Sequence, residues 1–113
     1  MSKFMISFPS GEMHFRPEEF DTVVAESHAV IEEIKQAGAY VFGGGIDENV
    51  PPVLVSAEGG VREGTYPQTS HLEGGYTIIE VPTRDDALLW ASKIAKACRC
   101  DQELRAFGYD PAS

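Results

Sequence analysis

Basic residues are scarce in this sequence. Lysine and arginine together number 9 against 18 aspartate and glutamate residues, which gives a formal net charge of -9 at pH 7. A nucleic-acid-binding protein needs a basic face to neutralise phosphates, and an anionic membrane surface attracts basic segments. The charge balance therefore argues against nucleic-acid and membrane partners, and we attribute the acidity to solubility.

Long apolar runs and a cysteine framework are also missing. No apolar segment approaches the roughly 20 residues that span a bilayer. The N-terminal residues alternate apolar and polar side chains, which is a strand pattern and not a signal-peptide core. Only Cys98 and Cys100 are present, and the single residue between them would strain a mutual disulfide. We therefore expect a cytoplasmic protein without a disulfide scaffold.

Metal-binding and phosphate-binding motifs are absent too. The histidines and cysteines include no HxH, HxxxH or CxxC spacing, so we expect no metal site and no cofactor. Residues 43–45 are three consecutive glycines, but no Gly-Lys-Ser/Thr follows, and Asp47 and Glu48 would repel phosphate. These glycines instead indicate a bulge or a close approach of another backbone.

What is present is the patterning of one small globular domain. The chain has 113 residues, of which 42% are apolar, enough for a single modest core. We assign residues 1–108 to one domain and residues 109–113 to a loose C-terminal tail.

The apolar residues repeat at two spacings. Phe4, Ile6 and Phe8 alternate with Met5 and Ser7, which predicts a strand over residues 3–8. The other predicted elements are a helix from Pro17 to a stop at Gly38, strands over residues 40–45, 53–55, 61–62, 76–81 and 103–107, and a second helix after a Thr83 N-cap with Asp86 three residues on.

This order of elements predicts an α+β fold. We expect a ferredoxin-like split βαβ, with an antiparallel sheet, two helices on one face, and a hairpin-type turn at residues 58–60. The uncovered face of the sheet would carry Met5, Val41, Leu54 and one set of side chains from residues 76–81. That face has to be hidden from water, so we expect a homodimer that closes into a dimeric α+β barrel.

Residues 63–76, EGTYPQTSHLEGGY, carry a family resemblance. The segment resembles the DGPF signature of the YCII-related family, with Glu63-Gly64-Thr65-Tyr66 at the Asp-Gly-Pro-Phe and Gly74-Gly75-Tyr76 at the Gly-Gly-Phe/Tyr. Further similar positions are Thr69 in the signature, Gln36-Ala37-Gly38 and residues 40–46 after the first helix, residues 87–91 in the second helix, and residues 102–105 in the closing strand.

The resemblance implies a dimeric α+β barrel. Most of that family has no assigned activity. Some members are thought to use a His-Asp pair in a pocket of the barrel, and one group acts in dechlorination of an aromatic ring. No aspartate of this chain can be paired with a histidine from the sequence, so this activity is not carried over. The departures from the family pattern concentrate in residues 68–73.

Two histidines are the catalytic candidates. His28 lies near Val24 and Ile31 at the border of the first helix's apolar stripe, from where an imidazole could reach a barrel cavity for acid-base work. His71 lies in the signature loop near Glu73, where it could make an acid-base or ligand contact. The alternative is a boundary histidine with one hydrogen bond for His28 and a solvated loop residue for His71.

Four residues are ligand-binding candidates. Tyr66 could line an apolar pocket with a hydroxyl handle, or pack in the core. Gln68 and Glu73 belong to the part of the signature loop that departs from the family pattern. Arg105 could form a charge pair with Glu103 at the cavity or at the dimer edge, and an exposed pair is equally consistent with the sequence.

Two functional hypotheses follow, from different classes. The first is an uncharacterised YCII-related protein that acts as a small-molecule enzyme, using a histidine as acid-base group in a barrel cleft. The second is a non-catalytic module that binds a small-molecule ligand or a protein partner.

Overall fold

The computed structural model describes all 113 residues of the chain. The strands are β1 (Ser2–Pro9), β2 (Tyr40–Gly45), β3 (Val53–Val55), β4 (Val61–Glu63), β5 (Gly74–Val81) and β6 (Glu103–Ala106). The helices are α1 (Phe20–Gln36), which follows a 3₁₀ turn at Pro17–Glu19, and α2 (Arg84–Cys98); a second 3₁₀ turn lies at Pro67–Thr69. Neither helix combines the length and the apolar character that crossing a membrane requires.

The main sheet has four strands in the order β2-β5-β1-β6, and every neighbouring pair is antiparallel. Each of the two βαβ units, β1-α1-β2 and β5-α2-β6, therefore leaves a gap that a strand of the other unit fills. This is the ferredoxin-like split βαβ arrangement, and it confirms the predicted fold class.

The core lies between the two helices and one face of this sheet. Phe4, Ile6 and Phe8 of β1 point into it together with Ile79 and Val81 of β5, as the period-2 pattern predicts. The helices contribute the other buried apolar side chains, which are Val23 and Ile34 of α1 and Ala87, Ala91, Ile94, Ala97 and Cys98 of α2.

The opposite face of the sheet is open. Met5 and Ile78 are paired across β1 and β5 and point to this side, where neither helix packs. The edge strand β2 adds Val41 and Phe42, which are 45% and 61% exposed. The register of β2 against β5 shifts at Val41, so the bulge expected near residues 43–45 lies just before the glycines.

Strands β3 and β4 do not belong to the main sheet. They pair only with each other, as a two-stranded hairpin that we call the hairpin arm, residues 53–63. The prediction that Leu54 lies on the open face of the main sheet is therefore wrong. The sequence of a three-residue apolar strand does not indicate which strand it pairs with. Here a tight turn at residues 56–60 places β4 beside β3, so the two strands pair with each other.

Local hydrogen bonds fix both ends of α2. Thr83 Oγ1 accepts from the backbone N–H of Asp86 at 3.1 Å and donates to its carboxylate at 2.9 Å, which confirms the predicted N-cap. At the other end Arg99 adopts a left-handed conformation, with φ 61°. Its guanidinium donates to the carbonyls of Lys96 and Ala97 and to Glu26 of α1, each bond within 2.9 Å, which ties the two helices together.

The C-terminal tail touches the start of the sheet. Phe107 donates its backbone N–H to the Lys3 carbonyl at 3.0 Å, and the Lys3 ammonium reaches the Ser113 carbonyl at 3.4 Å. A turn at Asp110 closes on the backbone N–H of Ser113 at 3.1 Å. The division of the chain at residue 108 stays a prediction.

Gly74 and Gly75 bring β5 against β1 at the end of the sheet. A Cβ on Gly74 would lie 2.0 Å from the Phe8 carbonyl oxygen, and the residue has φ 147°, which side chains rarely adopt. A Cβ on Gly75 would lie 2.7 Å from the Phe8 ring. The Gly-Gly pair is therefore required by packing and by backbone conformation together.

We expect Gly74→Ala to lower the free energy of unfolding by more than about 2 kcal/mol, because the new methyl group meets backbone and not a side chain that can move. Urea unfolding at one fixed protein concentration measures this change.

The matched control is Gly108→Ala, since a Cβ there meets nothing within 4 Å. We expect its effect to stay within about 0.5 kcal/mol. Equal effects of the two substitutions would contradict the close approach at Gly74.

Candidate functional site

An apolar cavity of about 160 Å³, partly open to solvent, lies between α1, α2 and the helix-facing side of the sheet. Helix α1 contributes Ser27, Val30 and Ile31, and α2 contributes Ile94, Ala97 and Cys98. The sheet side consists of Phe8, Gly44, Gly75, Tyr76 and Thr77.

The cavity exists because small residues meet at one level of the core. Gly75 of β5 and its partner Gly45 of β2 place no side chain on the helix-facing side of the sheet, and the Phe8 ring packs over Gly75. Across from them Ser27 and Ala97 are the smallest residues that α1 and α2 direct to this region. Native cores are otherwise close-packed, so a space of this size is a local feature of these positions.

Three weakly polar groups border the cavity. The Ser27 hydroxyl and the Cys98 thiol lie 3.6 Å apart and pair with each other across the two helices. Thr77 is 8% exposed and makes no side-chain hydrogen bond within the chain. No fully buried polar side-chain atom is left without a partner. The Thr77 hydroxyl therefore keeps some accessible surface, through which it can bond a molecule in the cavity.

The walls of the cavity are apolar with a few hydroxyl and thiol groups. No carboxylate, imidazole or ammonium group lines the space, so no side chain there can act as a charged general acid or base at neutral pH. Apolar walls with a few placed hydroxyl groups are typical of small-molecule pockets, in which the polar groups fix the orientation of the ligand.

The second thiol of the region is kept in its neutral form. Burial, with the neighbouring Cys98 and the acids Glu12 and Asp101, raises the pKa of Cys100 above its ordinary value. Because the thiolate is the nucleophile, Cys100 is a poor one at neutral pH.

Two further concave surfaces lie outside the core. One, of about 420 Å³, lies on the open face of the sheet between Val41, Ile78 and Glu80 on one side and Phe107 and Tyr109 on the other. The other, of about 360 Å³, is formed by the hairpin arm with Tyr66.

Both catalytic candidates lie outside all three spaces. His28 is exposed on α1, one residue after Ser27, and the rotation of about 100° per residue turns it away from the cavity. His71 is exposed in the turn that precedes β5. Their catalytic assignment stays a prediction.

The four ligand-binding candidates are spread over different parts of the surface. Tyr66 is 68% exposed and borders the hairpin arm, and Gln68 is exposed in the 3₁₀ turn after it. Glu73 accepts from the Ser10 backbone N–H at 2.9 Å through its own backbone carbonyl. Arg105 pairs with Glu103 at 3.3 Å, with both side chains more than half exposed. None of the four borders the core cavity.

The residues that do border the cavity carried a signal in the sequence. Ser27 and Cys98 belong to the apolar stripes of their helices, and Thr77 occupies an inward position of β5. Small residues at inward positions indicate missing volume, and the glycine at 75 does so most strongly. These residues carry no charged group, so they were not among the predicted site residues.

The fold and this cavity define a class: a ferredoxin-like α+β domain with an apolar, small-molecule-sized space between its helices and its sheet. No protein-family model matches the chain, and no curated protein matches it either. Among solved structures, the chain is similar to 5-chloro-2-hydroxyhydroquinone dehydrochlorinase from Burkholderia phenoliruptrix AC1100 in complex with 2,5-dihydroxybenzoquinone. The identity is 14%, the TM-score is 0.48, and 97% of each chain is covered. This likeness is too distant to assign an activity.

We expect Cys100 to be alkylated more slowly in the folded protein than in urea, with its rate rising at higher pH, because burial raises its folded-state pKa. Iodoacetamide labelling of a Cys98→Ser variant, followed by mass spectrometry between pH 7 and about 10, isolates this thiol. Identical pH profiles for the folded and unfolded protein would contradict the buried position of Cys100.

Proposed function

We propose that the protein binds a small, largely apolar organic molecule in the cavity between α1, α2 and the sheet. The single observation that carries this proposal is the apolar space of about 160 Å³ with the unpaired Thr77 hydroxyl at its wall. A natural core fills its space, and leaving it unfilled sacrifices packing energy.

The volume and the walls limit the class of ligand. An enclosed apolar cavity of about 150 Å³ holds benzene, so a partly open space of about 160 Å³ has room for about one six-membered ring. Thr77 can donate or accept one hydrogen bond, and the Ser27 hydroxyl lies on the helix side of the same space. We therefore propose a single-ring molecule with one or two hydroxyl or carbonyl groups.

The binding hypothesis is favoured over the enzyme hypothesis by the composition of the walls. Acid-base chemistry on a ligand in this cavity would need a titratable group within hydrogen-bond reach, or one water away. His28 follows Ser27 on α1 but faces solvent, and His71 lies in an exposed loop. For an enzymatic role, His28 or His71 would have to act outside this cavity.

We further propose that the chain is a diverged YCII-related protein, cytoplasmic, and a homodimer. The Gly74-Gly75 requirement and the order of elements support the family proposal, because both belong to the resembling positions. The homodimer is supported by the open face of the sheet, where no helix covers Met5 and Ile78 and only the C-terminal tail lies beside Ile78.

The surface area of the chain supports association as well. It exposes 8010 Å², whereas a compact monomer of 12.3 kDa exposes about 6,100 Å². The excess of about 1,900 Å² lies within the range that an obligate dimer buries on each subunit. Only 14 of 113 residues are buried, which is what a subunit separated from its partner would present.

We expect wild-type protein to bind benzene and phenol, and Ala97→Leu to weaken both at least about tenfold, because the larger side chain occupies the cavity. Chemical-shift titration followed by NMR measures the affinities. Thr77→Val keeps the shape of the side chain, so we expect it to retain benzene and to lose any preference for phenol.

Two controls separate the cavity from the surface. Ala29→Leu makes the same change at an exposed position of α1, and His28→Ala removes the exposed imidazole. Both should bind as wild type does. Failure of the wild-type protein to bind either probe, or equal losses in Ala97→Leu and Ala29→Leu, would refute a binding cavity.

For the dimer we expect a wild-type mass of twice 12.3 kDa by light scattering. We expect Ile78→Lys to be a monomer, because association would bury its charge on the open face of the sheet. Leu89→Lys is the matched control, since Leu89 is 66% exposed on α2, on the other side of the molecule. A wild-type mass of 12.3 kDa at micromolar concentration would overturn the dimer.

A further inference from the structure

The hairpin arm, residues 53–63, is closed by hydrogen bonds at its turn and at its base, and neither of its strands pairs with the main sheet. Its turn is closed by Ser56 and Gly60, through a backbone bond of 2.8 Å and a bond of 2.9 Å from the Gly60 N–H to the Ser56 hydroxyl. Its base is closed by the Gly64 N–H and the Pro52 carbonyl at 3.1 Å. An isolated two-stranded hairpin is only marginally stable in water, so we expect this hairpin to pack against another surface.

One side of the arm is apolar and uncovered. Val53 pairs with Glu63 and Val55 pairs with Val61, so three valines share one side, which we call the valine face. These valines are 49%, 66% and 64% exposed. Exposed apolar residues on a short edge hairpin promote unwanted pairing unless a partner covers them.

The arm also makes the chain larger than its length requires. The radius of gyration is 16.0 Å, against about 13 Å for a compact domain of 113 residues. The largest two extents are 43 and 42 Å, and the third is 20 Å. The chain is thus a flat body, and part of its excess surface lies on the arm.

We propose that the valine face of the hairpin arm packs on a second copy of this chain. The inference rests on the homodimer of the proposed function and adds to it a second contact, away from the sheet centre. Because dimers of one chain are two-fold symmetric, each copy would then lay its arm on the other.

Charge limits the surfaces through which two copies can meet. At a net charge of -9, two copies repel one another unless they meet through surfaces with few acidic groups. The valine face carries one acid, Glu63, at its base. The open face of the sheet offers the apolar counterpart, with Val41 and Phe42 exposed on the edge strand.

The test exchanges the apolar face of the arm for a charge pair and keeps the hairpin intact. In Val55→Glu/Val61→Lys the two new side chains face each other across the strands, so they support the pairing while removing the valines. We expect the dimer dissociation constant, from sedimentation velocity over a dilution series, to rise at least about tenfold.

The matched control changes the other side of the same hairpin. Arg62→Gln changes an exposed side chain on that side, opposite the half-buried Leu54, and leaves the valine face untouched. Its dissociation constant should match that of wild type. Equal weakening by both variants, or no weakening by Val55→Glu/Val61→Lys, overturns the arm contact.

A second measurement does not depend on any loss of affinity. Val55 replaced by the photoreactive residue p-benzoylphenylalanine should give, in purified protein, a crosslinked product of twice 12.3 kDa, and the same replacement at Leu54 should not. Crosslinking confined to one chain overturns the inference.

The outcomes separate the two proposals. A wild-type dimer that tolerates Val55→Glu/Val61→Lys and gives no product from position 55 overturns the arm contact while the dimer stands. A wild-type protein that is monomeric at all concentrations overturns both.

Discussion

The close approach of β5 to β1 at Gly74 and Gly75 is the constraint on which the rest of this structure depends. The backbone of Gly74 passes so near the Phe8 carbonyl that no side chain fits between them. The Phe8 ring then lies over Gly75, at the end of the sheet where the core cavity opens. One steric requirement thus sets the strand spacing, the position of an aromatic ring and the empty volume beside it.

Much of the fold could be predicted because its signals are local. The alternation of Phe4, Ile6 and Phe8 determines which face of β1 meets the helices, and the Thr83-Asp86 pair marks the start of α2. Once the order of elements is known, few topologies bury both helices on one sheet. The ferredoxin-like arrangement therefore follows from patterns within short windows.

The cavity was harder to predict from the sequence, because it forms where several elements have small side chains or none. Ser27 and Ala97 are unremarkable singly, and only the tertiary packing reveals that their small volumes coincide with that of Gly75. His28 illustrates the same point, since one residue along α1 separates a wall of the cavity from solvent. The position of Leu54 could not be predicted either, because the sequence of a short strand does not specify which sheet the strand joins.

The closure at the base of the hairpin arm gives the fold a property of its own. Because the Gly64 N–H meets the Pro52 carbonyl, the chain leaves the body and returns to it at nearly the same point. Residues could be added to or removed from the arm without changing the distance that the body has to bridge. The length and the sequence of the hairpin arm could therefore change in evolution independently of the sheet and the cavity. Such changes would alter the contact between subunits and leave the cavity unchanged.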